Sequence, residues 1–414
     1  MVLATHEAID AVWRIESARL VARLVRIVHD VGLAEDLAQD ALVAALEQWP
    51  RSGVPARPGA WLMTVARRRG VDALRRAATL GGKLELLGRD VSPDLTPMED
   101  LELDLHVDDD VLRLMFTACH PVLSVDARVA LTLKVVAGLS TEEIARAFLV
   151  QGTTMAARIT RAKKALADAQ VPFQVPVGDE LADRLASVLE VVYLVFNEGY
   201  TATAGTRLAR VELCQEATRL GRMLAALVPD ESETHALVAL MEIQASRLRT
   251  RSRPDGTIIT LDQQDRSRWD RLLITHGLSA LDRAERTVRS PGPYLVQAQI
   301  AACHARAARV ADTDWARIAE LYADLVAITR SPIVELNRAV AVSMADGPAA
   351  GLAVTDTLLD VAVLRGYHLL PSVRADLLSK LGRPADARAE FERAAGLTAN
   401  EVERSHLLAR ARST

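Results

Sequence analysis

The chain has 414 residues, 50% of them hydrophobic and 4% aromatic, with 25% charged and a net charge of −4. That length holds roughly two to four domains with ample core. The slightly negative balance excludes a polycation, so any nucleic-acid surface must be local. No apolar run reaches the ~18 residues a membrane span needs, and MVLATHEAIDAVWRIESARL has no cationic start before a greasy core, so neither membrane nor signal peptide is expected. Cys119, Cys214 and Cys303 form no CxxC pair and read as small buried residues in a reducing cytoplasm. Ala, Leu, Val, Arg and Glu dominate, which favours an all-α fold.

In chain order, GLAEDLAQDALVAALEQW (32–49) reads as an amphipathic helix. Leu37, Ala41, Leu42, Ala45 and Trp49 face inward, and Glu35, Asp36 and Asp40 lie on the polar side. A polar loop, PRSGVPARPG, leads to a basic helix from Ala60. Residues 61–76 carry five arginines (Arg67, Arg68, Arg69, Arg75, Arg76) and one acid, Asp72. Arg68, Asp72 and Arg76 stand four apart, so ion pairs steady the helix and leave Arg67, Arg69 and Arg75 freer to hold phosphates. Trp61 reads as a core anchor ahead of a base-stacking wedge.

Residues 85–110 then hold ten acids against one base, with Pro93 and Pro97 and little apolar periodicity. They read as an extended acidic linker. Helical patterning resumes at 111, and Cys119-His120-Pro121 ends a helix, its histidine near the negative pole.

GLSTEEIARAFLVQGTTMAARITRAKKAL, from Gly138 to Leu166, reads as two short helices joined by a tight turn. Ser140 caps the first, with Glu142 and Glu143 in its first turn. Thr153 is placed to cap the second. Met155, Ile159, Ala162 and Leu166 make its buried stripe. Thr154, Arg158 and Arg161 lie on a neighbouring stripe beside Lys163 and Lys164, and no acid interrupts Thr153 to Leu166. One greasy face and one cationic face suit a major groove; a solvated basic helix in a bundle is the plainer alternative.

VPFQVPVGD (171–179) marks a further boundary. Beyond it only helices are expected, interrupted by polar residues 249–270, where Asp255-Gly256 makes a turn and Thr257–Leu261 a short hairpin strand. Residues 336–354 can be laid over 373–391, aligning Pro348 with Pro384. The offset approaches the roughly 34-residue period of tetratricopeptide helix pairs, with Leu377, Leu381, Gly382, Ala387, Phe391 and Ala394 carrying the signature.

Catalytic readings of Asn197-Glu198, Cys119-His120 and Cys303-His304 lack partners at useful spacing. The nine histidines form no HxxxH or HExxH pattern, and no glycine-rich phosphate loop occurs, so no enzyme, cofactor or metal is expected. Glu198 and Tyr200 read as buried hydrogen-bonding groups ahead of pocket residues.

AEDLAQDAL, PGAWLMTVARRRGVDALRR and the helix-turn-helix, in this order, resemble bacterial RNA polymerase sigma factors of the extracytoplasmic-function (ECF) type over roughly residues 10–167. The resemblance implies two small helical sigma domains joined by a linker and followed by a helical extension. Region 2 spans 1–80, the acidic linker 81–110, region 4 spans 111–170, and a tetratricopeptide-like extension spans 171–414. It implies core RNA polymerase binding by Asp36, Gln39 and Asp40; −10 DNA contacts by Arg67, Arg68, Arg69, Arg75 and Arg76; and −35 contacts by Thr154, Arg158, Arg161, Lys163 and Lys164. Arg68 stands where most such factors have Asn, and Ala156 and Ala157 where they have polar residues. The linker is either a solvated tether or an occupant of the polymerase RNA channel.

FNEGYTATAG, DQQDRSRWD, PYLVQAQIAACHA and YHLLPSVRADLLSKLGRPADA resemble the subset numbered 42, whose genes often neighbour small YCII-related (DGPF) proteins. The expected function is therefore promoter-specific transcription initiation set by the extension, in the cytoplasm. A stand-alone helix-turn-helix regulator with a sensing domain and a helical-repeat scaffold are the alternatives.

Overall fold

The structure is a computed structural model describing residues 2–81, 107–148, 150–201, 209–253 and 257–414. These residues are helical apart from turns and isolated bridge residues, among them Ser252 paired antiparallel with Ile258. The chain divides into two compact units, Met1–Val191 and Val192–Thr414.

The first unit opens with α1 (Val2–Val28), α2 (Val31–Ser52) and α3 (Pro58–Gly81). Asp30 caps α2, its Oδ1 accepting from Leu33 N at 2.7 Å. Ile9, Leu24, Trp49 and Leu62 are buried where the three helices meet. Trp61 lies edge-on to Trp49 with centroids 5.2 Å apart, as a core anchor should.

Four helices follow: α4 (Val107–Ala118), α5 (Val125–Val135), α6 (Thr141–Ala147) and α7 (Gly152–Asp168). The stretch read as linker therefore ends in helix. Asp110, assigned to that linker, is wholly buried between Arg26 (3.2 Å) and Arg113 (2.7 Å). Its carboxylate finds two cations on folding, which an acidic run viewed alone does not reveal. Residues 82–106 lie outside the described residues.

The boundary read at VPFQVPVGD falls inside the first unit. The early turns of α8 (Asp179–Tyr200) pack back on α4 and α5. Arg184 donates to Phe116 O at 2.9 Å, Ser187 Oγ to Cys119 O at 2.7 Å, and Arg128 pairs with Glu190 at 3.2 Å. The prolines bend a connector; the apolar face of α8 decides which core it joins.

The second unit takes the rest of α8, then α9 (Val211–Leu227), α10 (Ser232–Ala245), α11 (Arg271–Thr287) and α12 (Pro293–Arg306). It continues with α13 (Trp315–Thr329), α14 (Pro332–Asp346), α15 (Pro348–Asp356), α16 (Leu369–Lys380), α17 (Pro384–Leu397) and α18 (Glu401–Ser413). Consecutive helices pack as hairpins, so the array is repetitive. Pro348 and Pro384 each open the second helix of a pair, where a missing N–H costs nothing. Leu377, Ala387, Phe391 and Ala394 are buried. The expected hairpin strand reduces to the single bridge: Arg253 N donates to Thr257 O and Ile259 N to Arg251 O. Asp255-Gly256 lies outside the described residues, and the following segment instead forms short 3-10 turns at Leu261–Gln263 and Arg266–Arg268.

Candidate polymerase and DNA interface

The two helices α6 and α7 form as their sequence directs. Ser140 Oγ accepts from Glu143 N at 3.1 Å while Glu143 Oε2 accepts from Ser140 N at 2.8 Å, a reciprocal capping box. Met155, Ile159, Ala162 and Leu166 are all buried. Thr153 does not cap α7: Gln151 is the N-cap residue and Thr153 already lies in the first turn. The helix starts at Gly152, two residues earlier than a Thr153 cap would set it.

Burying that stripe turns the polar residues outward. Thr154, Arg161 and Lys164 are exposed. Arg161 Nε donates to Ala157 O at 3.2 Å, which steadies the side chain along its own helix. Arg158 is half-buried and pairs with Asp126 of α5 at 3.5 Å. That acid is itself exposed, so water competes for the pair and a phosphate can take its place.

On α2, Asp36 (72% exposed at the side chain) and Asp40 (57%) point to solvent, with Gln39 between them. Val43, 49% exposed, extends the same i, i+3, i+4, i+7 stripe. Acids beside an uncovered apolar side chain make a protein-docking face, and Val43 was not among the expected residues. Its signal was an apolar side chain in register with the acids.

The basic helix departs from expectation at Arg69. Its Nη1 lies 3.2 Å from Asp40 Oδ2 and donates to Asp40 O at 2.9 Å. α3 packs beside α2, so its third arginine meets the acidic face of α2. Arg68 is exposed and Arg67 half-buried. The side chains of Asp72, Arg75 and Arg76 lie outside the described residues, and the Arg68–Asp72–Arg76 ladder with them.

Glu35 departs as well. It is not on the polar side but 4% exposed, gripped by Lys134 of α5 (3.3 Å) and by Lys163 of α7. Lys163 also reaches Asp36 at 3.0 Å. Burial works against the Lys163 charge, but Glu35 and then Asp36 outweigh it and hold the ammonium above its usual range. The structure thus joins one residue expected to hold phosphate to one expected to hold polymerase.

Further contacts close α1 onto the helix-turn-helix. Trp13 Nε1 donates to Gly138 O at 3.0 Å, and Arg14 stands 4.0 Å from Glu143. Gly138 has φ of 73°, and a Cβ there would lie 2.3 Å from Ser17 Oγ. Only glycine satisfies both the backbone angle and the close approach. At the other end of α1 lies a cleft of about 350 Å³ whose walls include Val25, Val31, Lys163, Leu166 and Phe173. Among the described residues no cluster of three or more His, Cys, Asp or Glu could hold a metal, and no helix is long and apolar enough to cross a membrane.

Residues 15–79 match the family described as sigma-70 region 2, and residues 113–166 that described as sigma-70 region 4. Residues 184–285 match DUF6596, a family of unknown function. The chain is 44% identical over 386 residues to the uncharacterized protein R00370 of Rhizobium meliloti (strain 1021), covering 93% of this chain and 90% of that protein. It is 26% identical over 169 residues to the probable ECF RNA polymerase sigma factor SigI of Mycobacterium tuberculosis (strain ATCC 25618 / H37Rv). That match covers 41% of this chain and 58% of SigI, less than two thirds of its length. No solved structure gives a significant match.

Proposed function

This chain belongs to the sigma-70 factor family, and on that premise we propose that it binds core RNA polymerase and places it at promoters of one class. As a sigma factor it is a transcription factor and not an enzyme. The exposed stripe of Asp36, Gln39, Asp40 and Val43 is the reading's polymerase-docking face. Arg67 and Arg68, with Arg75 and Arg76, hold the opened strand at the −10 element. Arg69 joins them only on giving up Asp40. Thr154, Arg158 and Arg161 read the −35 duplex while Lys163 and Lys164 grip its phosphates. The observation that carries the reading is α7 itself: a fully buried apolar stripe holds Thr154, Arg161 and Lys164 outward on a helix braced by a capping box.

The Lys163–Asp36 contact gives this function an order of events. In the closed unit, docking face and DNA helix occupy each other. Polymerase that claims Asp36 leaves Lys163 to a phosphate. The Trp13 hydrogen bond and the buried Glu35 pairs make opening cost on the order of 3–5 kcal/mol, which a polymerase interface can supply. A regulator that bound operator DNA alone would need no region 2, and the match to residues 15–79 weighs against it.

The finer reading places the chain in the ECF subset numbered 42, with Val192–Thr414 a tetratricopeptide-like module that sets activity, in the cytoplasm, and a YCII-related protein as a candidate partner. Co-elution with purified core polymerase tests the premise. A 1:1 complex lost on Asp36→Arg with Asp40→Arg supports it; failure of the unmodified chain to associate contradicts it.

A further inference from the structure

The match to sigma-70 region 4 ends at residue 166, and the match to the family of unknown function begins at Arg184. Arg184 does not face solvent. Leu181, Arg184, Leu185 and Val188 follow i, i+3, i+4, i+7 along α8, and the last three are buried. Ser187, beside that stripe, is buried as well. Buried polar groups need partners, and both residues find them on region 4.

The end of α4 supplies those partners. The last carbonyls of a helix have no donors within it. Here Met115 O accepts from Cys119 N at 3.0 Å and Thr117 O from His120 N at 3.2 Å. Phe116 O and Cys119 O instead take side chains of α8: Arg184 Nη2 at 2.9 Å and Ser187 Oγ at 2.7 Å. A cation at the negative pole of α4 also suits the helix dipole. Phe116 and Cys119 are themselves buried, so water does not replace a lost donor there.

The same hydroxyl reaches α5. Ser187 Oγ gives its proton to Cys119 O and accepts from Arg128 Nη1. Arg128 also stands 3.2 Å from Glu190. α5 in turn packs on α7, and its Asp126 lies 3.5 Å from Arg158. A helix outside the region 4 match thus holds α4 by its C-terminus and α5 by Arg128, and α5 carries the acid on which Arg158 rests.

We propose that the first half of α8 is a working part of the DNA-reading domain. Arg184 and Ser187 are positioning residues that hold α5, and through it Arg158 of α7, in the setting that meets the −35 duplex. The proposal rests on the reading of α7 as the −35 helix. Neither residue touches DNA; they fix the frame from which DNA is touched. The ion pair of Arg184 with exposed Glu180 contributes little, because water screens it. The hydrogen bonds to two buried carbonyls carry the clasp. The helix that opens the extension thereby also completes region 4, and the extension is not a detachable module.

Arg184→Met, Ser187→Ala and Glu180→Gln are compared with the parent as full-length chains. Amide exchange is read in α4, α5 and α7. Promoter binding by the polymerase complex is read on DNA with an intact or a scrambled −35 element. Arg184→Met should exchange about ten-fold faster or more in all three helices and lose about ten-fold of the −35 preference, with core association unchanged. Ser187→Ala should move both readouts the same way by about five-fold, and it decides the matter if Arg184→Met fails to fold. Glu180→Gln should leave both at parent values. Unchanged exchange, a −35 preference kept while exchange rises, loss of core association along with the preference, or an equal effect of Glu180→Gln would overturn the proposal. A parent chain with no −35 preference would overturn it through its premise. Exchange, read without polymerase, tells that failure from a failure of the clasp itself.

Discussion

The ammonium of Lys163 lies 3.0 Å from Oδ1 of Asp36, and the same nitrogen holds the buried carboxylate of Glu35. One lysine of α7 therefore spans both an exposed acid and a buried one. The exposed pair contributes about 0–1 kcal/mol; the buried pair is the one whose loss leaves charge stranded.

Glu35→Gln should accordingly destabilise the first unit by about 3 kcal/mol, because Lys134 and Lys163 would share no carboxylate inside the fold. Urea unfolding followed by tryptophan fluorescence checks this. Asp36→Asn should cost less than about 1 kcal/mol in the same measurement.

Gly138→Ala should strain a φ of 73° and drive a Cβ to within 2.3 Å of Ser17 Oγ. The backbone alone costs about 1–2 kcal/mol, and the Trp13 hydrogen bond to Gly138 O must shift with it. The measurable outcome is a closed unit that opens more often, with faster amide exchange in α6 and α7 and little change in the second unit.

Arg158→Ala with Arg161→Ala should abolish −35 dependence while core binding persists. Lys164→Ala, which removes a phosphate contact, should instead flatten the dependence of log affinity on log salt by about 0.9. Binding of the polymerase complex to promoter DNA between low and moderate salt gives the slope. Loss of core association instead would overturn the division of labour between α2 and α7.

His304 titrates at about 3 in the folded chain against 6.5 for an ordinary histidine. Between those values the unfolded chain binds the extra proton, so stability falls as pH drops below about 6.5. The slope is at most about 1.4 kcal/mol per pH unit. His304→Phe keeps the edge contact to Trp315 and should remove that acid sensitivity. Denaturant midpoints at pH 7 and pH 5 make the comparison.

Local signals were legible in the sequence. The 3.6-residue stripe from Met155 to Leu166 and the Ser140–Glu143 box depend on neighbours within a few positions, and both are present. Pairing across the chain was not legible. Glu35 and Asp36 are adjacent acids, and nothing local distinguishes the one that is sealed beneath two lysines from the one that faces water. Arg69 was expected to be free for the same reason, yet it meets Asp40, 29 residues earlier. The proline-rich connector at 171–179 had the composition of a domain boundary. Arg184 and Ser187 beyond it nevertheless belong to the first core. Aromatic scarcity was visible from composition, but the stacking of Arg251 on Tyr200 and of Arg266 on Trp269 became visible only with the ring distances.

Run-off transcription with purified core enzyme bears most directly on the central claim. Core polymerase plus this protein should start RNA synthesis from a discrete set of genomic promoters on which the core alone is silent. Identical transcripts with and without the protein, across the whole set of promoter regions, would contradict it.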